Sequence, residues 1–227
     1  MMQRSKAIKA RQQKAIEQKS GLLKNVETAE SLKLFPRSYH AETLASFSDV
    51  EIFYGKTAAC APVSFSILQG DRLVLDGRNG SGKSSLLKLL VGEELKYTGT
   101  VMIGSGLIIS YVPQNTSHLQ GRLHSFAAEH HIDESLFKAV LRKMDFERIQ
   151  FEKDISNFSE GQKKKVLIAK SLCEQAHLYV WDEPLNFIDI YSRIQIEQLI
   201  KEFSPAMIFV EHDKAFRDGI STKIISL

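Results

Sequence analysis

Gly77-Arg78-Asn79-Gly80-Ser81-Gly82-Lys83-Ser84 sets glycines, a lysine and a hydroxyl in the spacing G-x4-G-K-[ST], with Ser85 following. Glycines let consecutive backbone N–H groups turn toward one point, and such a concave run cradles phosphate oxygens. Lys83 would add its charge to the β- and γ-phosphates of a nucleoside triphosphate, and Ser84 a hydroxyl ligand for Mg²⁺. An ordinary Gly-rich turn is the plainer reading. Against it stands the position, after the strand-like run Arg72–Asp76 and before the helical run Lys83–Val91, where a helix N-terminus adds its positive end. A second group is Leu178-Tyr179-Val180-Trp181-Asp182-Glu183, an apolar run ending in two acids. Asp182, at the carboxyl end of a sheet strand, suits Mg²⁺ beside the phosphates, and Glu183 suits polarising the water that attacks the γ-phosphate. Alone, Asp-Glu after a strand is more often a solvated turn; together with the phosphate loop it describes a site. A third group, Ser159-Glu160-Gly161-Gln162-Lys163-Lys164-Lys165, can offer a hydroxyl and N–H groups to an anion, or be a simple N-cap with a basic first turn.

The elements that must position these residues follow from apolar spacing. Val50–Tyr54, Val63–Leu68, Arg72–Asp76, Ile108–Val112, Leu178–Trp181, Met207–Val210 and Lys223–Ser226 read as strands. Between them lie helical patterns at Lys83–Val91, Glu134–Met144, Glu160–Cys173 and Ile190–Phe203. Strands alternating with helices imply an α/β fold with a largely parallel central sheet. Residues 115–158 lack strand pattern and read as a helical insert. Residues 1–34 are rich in Ala, Gln, Lys, Arg, Glu and Leu and read as a basic helix that Phe35-Pro36 ends.

With 43% of its 227 residues apolar, the chain can bury a real core. Its longest apolar stretches fall far short of the roughly 20 residues of a membrane span. The basic, Gln-rich first twenty residues carry no signal-peptide apolar core, so a cytoplasmic location is expected. Cys60 and Cys173 stand apart, without the spacing of a disulfide framework or zinc site. His118, His124, His130 and His131 read as surface residues. The net charge of +3 is unevenly spread: residues 1–40 hold nine basic and three acidic side chains, leaving the remainder net acidic. That shift marks a boundary near residue 40.

Ser159-Glu160-Gly161-Gln162 ahead of the Asp182-Glu183 strand resembles the signature motif of ATP-binding cassette (ABC) ATPases. The resemblance spans residues 46–227 and implies further parts that the sequence supplies. Gln114, in Tyr111-Val112-Pro113-Gln114, stands where the family has its Q-loop glutamine, implied to join Ser84 and Asp182 at the metal. His212 matches the switch histidine that contacts the γ-phosphate, and Asp189 the D-loop. Tyr54 lies where an aromatic ring stacks on adenine. The fold implied is a P-loop cassette with a mainly parallel core sheet, an antiparallel β part and a helical subdomain at about 115–175. The ligands implied are ATP, favoured over GTP by the lack of Asn-Lys-x-Asp, and Mg²⁺.

Glu183-Pro184-Leu185-Asn186-Phe187-Ile188-Asp189 and the Ser159–Lys165 run are similar to ABC-F proteins, which act on ribosomes. Leu185, where most members have Thr, resembles the antibiotic-resistance, ribosome-protection branch. Residues 22–33 resemble part of the linker between the two cassettes of such proteins. Residues 1–40 are then expected to be a basic helical linker segment and 41–227 the ATP-binding domain. The partners implied are the ribosome, through rRNA and tRNA contacts of residues 1–34, and a second cassette. ABC-F proteins carry two cassettes, so this chain reads as the C-terminal half of one, pairing with the missing N-terminal half or with its own copy. In that family Ser159 and Gly161 would complete the opposite cassette's site, with Gln162 beside them. Phe158, Glu160 and Arg78 depart from the commoner Leu, Gly and Pro. Two rival readings are the energy subunit of a membrane transporter and a non-hydrolysing RNA- or partner-binding module.

Overall fold

The computed structural model describes residues 33–227; residues 1–32, where most of the basic helix is expected, lie outside the described residues. The described chain begins extended and anchored: Leu34 is buried, Arg37 N–H donates to the Ala176 carbonyl (2.8 Å), and the Tyr39 hydroxyl to the Ser105 carbonyl (2.7 Å).

Two sheets follow. In the antiparallel one, β1 (Thr43–Tyr54) pairs with β2 (Thr57–Ala58) and β3 (Val63–Leu68) along one edge and with β5 (Lys96–Ile103) along the other. The second sheet is parallel. Its order is β6 (Ile109–Val112), β7 (Leu178–Asp182), β8 (Met207–Val210), β4 (Arg72–Asp76), β9 (Lys223–Ser226). Every residue of β7 and β8 is buried, as expected of parallel strands covered on both faces. Their side chains divide by alternation. Val74, Val112, Tyr179, Trp181, Met207 and Phe209 enter one core cluster, and Leu73, Leu75, Leu178, Val180, Ile208 and Val210 the other.

The first cluster is closed by helices α2 (Leu123–Glu129), α3 (Glu134–Lys143), α4 (Glu160–Cys173), α5 (Ile190–Phe203) and α6 (Lys214–Ile220). The second is closed by the antiparallel sheet and by α1 (Lys83–Leu90), which buries Leu86, Leu87, Leu89 and Leu90. This is the α/β fold with mainly parallel and antiparallel sheets that the sequence implies. Between β6 and α4 the chain forms α2, α3 and short 3-10 turns at Arg148–Glu152 and Ile155–Asn157, with only a bridge between Arg122 and Asp154. Among the described residues no helix is long and apolar enough to cross a membrane.

Three differences from the sequence reading have physical reasons. Strand β5 was not foreseen because it buries no full residue and so has no apolar period. Strand β1 starts well before Val50: register shifts between Phe47 and Val50 and between Ser48 and Glu51, with Asp49 at φ 49°, break its alternation. His130 is half-buried against the Phe126 ring (4.4 Å between centroids), where burial foremost lowers its pKa, so it is not a plain surface residue.

A buried polar chain ties β6, β7 and α4 together. Trp181 Nε1–H donates to Ser171 Oγ (2.9 Å), Ser171 shares a hydrogen bond with Ser110 (2.6 Å), and Ser110 donates to Glu174 (2.6 Å). Ser171→Ala leaves the indole N–H buried without this acceptor, and should destabilise the fold by about 1–3 kcal/mol. Urea unfolding followed by Trp181 fluorescence checks this; an unchanged midpoint contradicts it.

Candidate nucleotide site

Four neighbouring strands of the parallel sheet end on the same side, and each delivers one motif. Strand β4 runs into the phosphate loop, β6 into Pro113-Gln114, β7 into Asp182-Glu183 and β8 into Glu211-His212. The carboxyl ends of parallel strands are where α/β folds place ligands. A cleft of about 740 Å³ here is lined by Tyr54, Thr57–Ala59, Asn79, Gly80, Gly82, Lys83, Ser84, Ser85, Gln114, Glu183 and His212.

Gly80 and Gly82 adopt left-handed backbone (φ 82° and 88°). A Cβ on Gly82 would stand 2.6 Å from Cys60 Cβ and 2.9 Å from the Ala59 carbonyl oxygen, so glycine is required twice over. Lys83 is buried, its Nζ donating to the carbonyls of Gly77 (2.8 Å) and Arg78 (2.9 Å) at the head of the loop. Ser81 Oγ is buried without a partner among the described residues, a donor suited to a phosphate oxygen.

Asp182 is 1% exposed, and burial raises its pKa against the pull of the Ser84 hydroxyl, which donates to Oδ1 (3.1 Å). Gln114 and Asp182 line a second, adjoining hollow with Ser84. A desolvated carboxylate, a hydroxyl and an amide oxygen are hard oxygen donors, and this donor set fits Mg²⁺. Tyr54 is half-exposed at the cleft, its hydroxyl hydrogen-bonded with Ser85 Oγ (3.1 Å).

Glu183 takes left-handed backbone (φ 48°), a conformation costing a non-glycine residue about 1–2 kcal/mol. Its N–H donates to the Val210 carbonyl (2.9 Å), and its carboxylate accepts from Asn186 Nδ2 (2.5 Å) and lies 3.4 Å from His212 Nε2. Buried Glu211 accepts from the N–H groups of His212 (2.7 Å), Asp213 (3.2 Å) and Leu185 (3.1 Å), fixing the histidine against the segment that follows Glu183. Arg193 of α5 holds the same segment from its other side. It donates to the carbonyls of Ile188 (2.9 Å) and Leu185 (3.0 Å) and to the Asp213 carboxylate (3.1 Å).

Ser159, Gly161, Gln162 and Asp189 do not line the cleft with Lys83. Ser159 and Gln162 form a reciprocal cap on α4, so the plain N-cap reading of this motif holds within the chain. Gly161 lies under the Phe187 carbonyl, which leaves no room for a side chain. Asp189 caps α5 through Ser192 N–H (2.8 Å) and pairs with Lys165 (2.7 Å). Burial works to raise the Asp189 carboxyl, but the bonds from Lys165 and Ser192 outweigh it and hold its pKa at about 2.

The sequence reading did not single out Glu211, Arg193, Asn186 or Lys164. Glu211 left a signal, an acid between an apolar strand and a candidate histidine. Arg193 lies in a helical pattern whose polar face looks solvated until its three acceptors are seen.

The profile of the ABC transporter family matches residues 60–186. The chain is 30% identical to ABC transporter F family member 2 of Arabidopsis thaliana, the match covering 72% of this chain and 25% of that protein. It is 27% identical to the ribosome protection protein VmlR of Bacillus subtilis (strain 168), covering 72% and 30%. With the zinc import ATP-binding protein ZnuC of Wigglesworthia glossinidia brevipalpis the identity is 31%, covering 76% of this chain and 77% of that one. The chain thus spans under a third of the first two relatives and most of the third. A bacterial Atm1-family ABC exporter solved with ATP bound shares the fold, with TM-score 0.72 over 86% of this chain and 38% of that one, at 17% identity.

Asp189→Asn keeps a helix cap and removes the charge pair with Lys165. Because the folded pKa is lowered, the pair's contribution is full above about pH 4 and is lost as pH falls through about 2. The variant should be less stable by no more than about 1 kcal/mol at pH 7, since the carboxylate is half-exposed. In urea titrations the gap should roughly halve by about pH 3; a gap constant with pH contradicts the assignment.

Proposed function

The chain belongs to the ABC transporter family of ATP-binding cassettes, and on that premise we propose how its residues bind and hydrolyse ATP and where the cassette acts. The observation that carries the reading is the convergence of Lys83, Gln114, Glu183 and His212 on one cleft, with Asp182 beside it, at four adjacent strand ends.

The phosphate loop Gly77–Ser84 cradles the phosphates with its N–H groups, Lys83 moving from two loop carbonyls to the β- and γ-phosphates. Tyr54, held by Ser85, stacks on the base. Ser84, Asp182 and Gln114 hold Mg²⁺, which when bound neutralises phosphate charge. Glu183 accepts a proton from the attacking water as the bond between the γ-phosphorus and the β-phosphate oxygen breaks, giving ADP and phosphate, and His212 donates to the γ-phosphate. Glu211, Asn186 and Arg193 keep Glu183 and His212 in register.

ABC cassettes pair, and ABC-F proteins are among this chain's relatives. Ser159 and Gly161, at the head of α4 and away from Lys83, serve a second cassette's nucleotide, with Gln162 holding Ser159 and Asp189 seating the intervening segment. A single cassette leaves its own γ-phosphate without those donors. The ribosome is the partner we infer. The likeness to VmlR and the basic residues 1–40 support it, because Lys and Arg neutralise RNA phosphates whatever the base sequence. Antibiotic resistance by ribosome protection is the role proposed. The match to ZnuC along most of its length favours a second reading, an energy subunit docked on a membrane permease.

Calorimetric titration tests the nucleotide site. Lys83→Ala should weaken Mg-ATP binding about ten- to a hundredfold, the worth of a charge-assisted phosphate contact; unchanged affinity contradicts it. Co-sedimentation with purified ribosomes tests the partner. Affinity should fall with salt, and changing Arg4, Lys6, Lys9, Arg11 and Lys14 to Gln should flatten the log–log slope by about 0.7–0.9 per lost contact. Recovery with membranes and not with ribosomes would favour the permease reading.

A further inference from the structure

The run Lys163-Lys164-Lys165 looks like a solvated basic turn, and the structure gives its members different work. Lys163, itself mostly covered, is an i,i+3 partner of the exposed Glu160 on α4 (3.5 Å). Lys165 reaches the Met144 carbonyl (2.5 Å) and Asp189 (2.7 Å). Lys164 is 2% exposed, and its ammonium donates to the Pro113 carbonyl (2.8 Å) and the Asp182 carbonyl (3.2 Å). Pro113 immediately precedes Gln114, and Asp182 immediately precedes Glu183. One buried charge on the second turn of α4 therefore holds the ends of β6 and β7 where each turns into a site residue. A parallel link joins the same parts, since the Thr116 hydroxyl, two residues past Gln114, donates to Glu160.

Burying an ammonium is costly, and an apolar side chain of similar length would fill this space without that cost. Its two acceptors are main-chain carbonyls at two strand ends, Asp182 closing β7 and Pro113 following β6, so the bonds are lost if either strand end shifts relative to α4. We propose that Lys164 is a positioning residue that makes the Gln114 and Asp182-Glu183 strand ends move as one body with the first turns of α4, so that nucleotide bound at Lys83 orders Ser159 and Gly161 in the same chain. The inference rests on the nucleotide reading above. It adds a route within one cassette from its own phosphate loop to the face it offers a second one.

Amide hydrogen exchange on the full chain tests it, in dilute solution where light scattering shows a monomer, with and without Mg²⁺ and a non-hydrolysable ATP analogue. In the wild type the analogue should slow exchange in both 77–85 and 159–165. Lys164→Met should keep the protection of 77–85 and lose that of 159–165 by roughly tenfold, the worth of a charge-assisted bond. Lys164→Arg, which retains donors and charge, should restore part of it. A merely structural lysine would change exchange equally with and without nucleotide. Should Lys164→Met fail to fold, as Trp181 fluorescence would reveal, Lys164→Gln carries the same comparison. Protection of 159–165 retained in the Met or Gln variant, or absent from the wild type while 77–85 is protected, overturns the inference. Failure of the wild type to protect 77–85 overturns the nucleotide reading first and the inference with it.

Discussion

A carboxylate stripped of water stands at the centre of this molecule. Asp182 ends a strand whose every residue is buried, and its raised pKa records what that enclosure costs. The register of β7 cannot slip to relieve it. A shift by one residue would exchange the face carrying Tyr179 and Trp181 with the face carrying Leu178 and Val180, breaking both core clusters and the Trp181–Ser171 bond. The carboxylate is thus fixed in place by packing that has nothing to do with chemistry. What surrounds it follows: a hydroxyl from the first turn of α1 and an ammonium under its own carbonyl.

Helix α4 is the second organising element. Its cap and first turn carry Ser159, Gly161 and Gln162, and its lysines reach the strand ends of β6 and β7 and Asp189. Its later turns fasten to Trp181 and Ser110 through Ser171. On the other side of Glu183, Glu211 and Arg193 clamp residues 185–188 to the segment His212–Asp213. Glu183 and His212 are therefore held by bonds to backbone on either side, an arrangement that keeps a strained glutamate backbone in place without a glycine.

The residues legible in the sequence were those whose chemistry forces a local pattern. Gly80 and Gly82 need left-handed backbone next to Lys83, and β7 and β8 must be apolar on both faces, so both announced themselves. Strand β5 did not, because it buries nothing, and β1 was truncated because its bulges interrupt the period. Ser159 as a helix cap was readable from its place just ahead of the helical run Glu160–Cys173. Lys164 was not: three successive lysines carry no hint that the middle one is enclosed, since that depends on where β6 and β7, distant in the chain, place the Pro113 and Asp182 carbonyls. Glu211 and Arg193 were hidden for the same reason, their acceptors and donors lying on other elements.

The central claim is that one cassette holds the phosphate-binding half of a catalytic site and, separately, the Ser159–Gly161 half that a second cassette's nucleotide requires. Such a site stabilises the developing charge on the γ-phosphate only when the halves meet. ATP turnover per molecule, measured against protein concentration with sizing in parallel, tests this most directly. The account expects the rate per molecule to rise with concentration as pairs form, or to rise on addition of a partner cassette. A brisk rate independent of concentration, from a species shown to be monomeric, would contradict it.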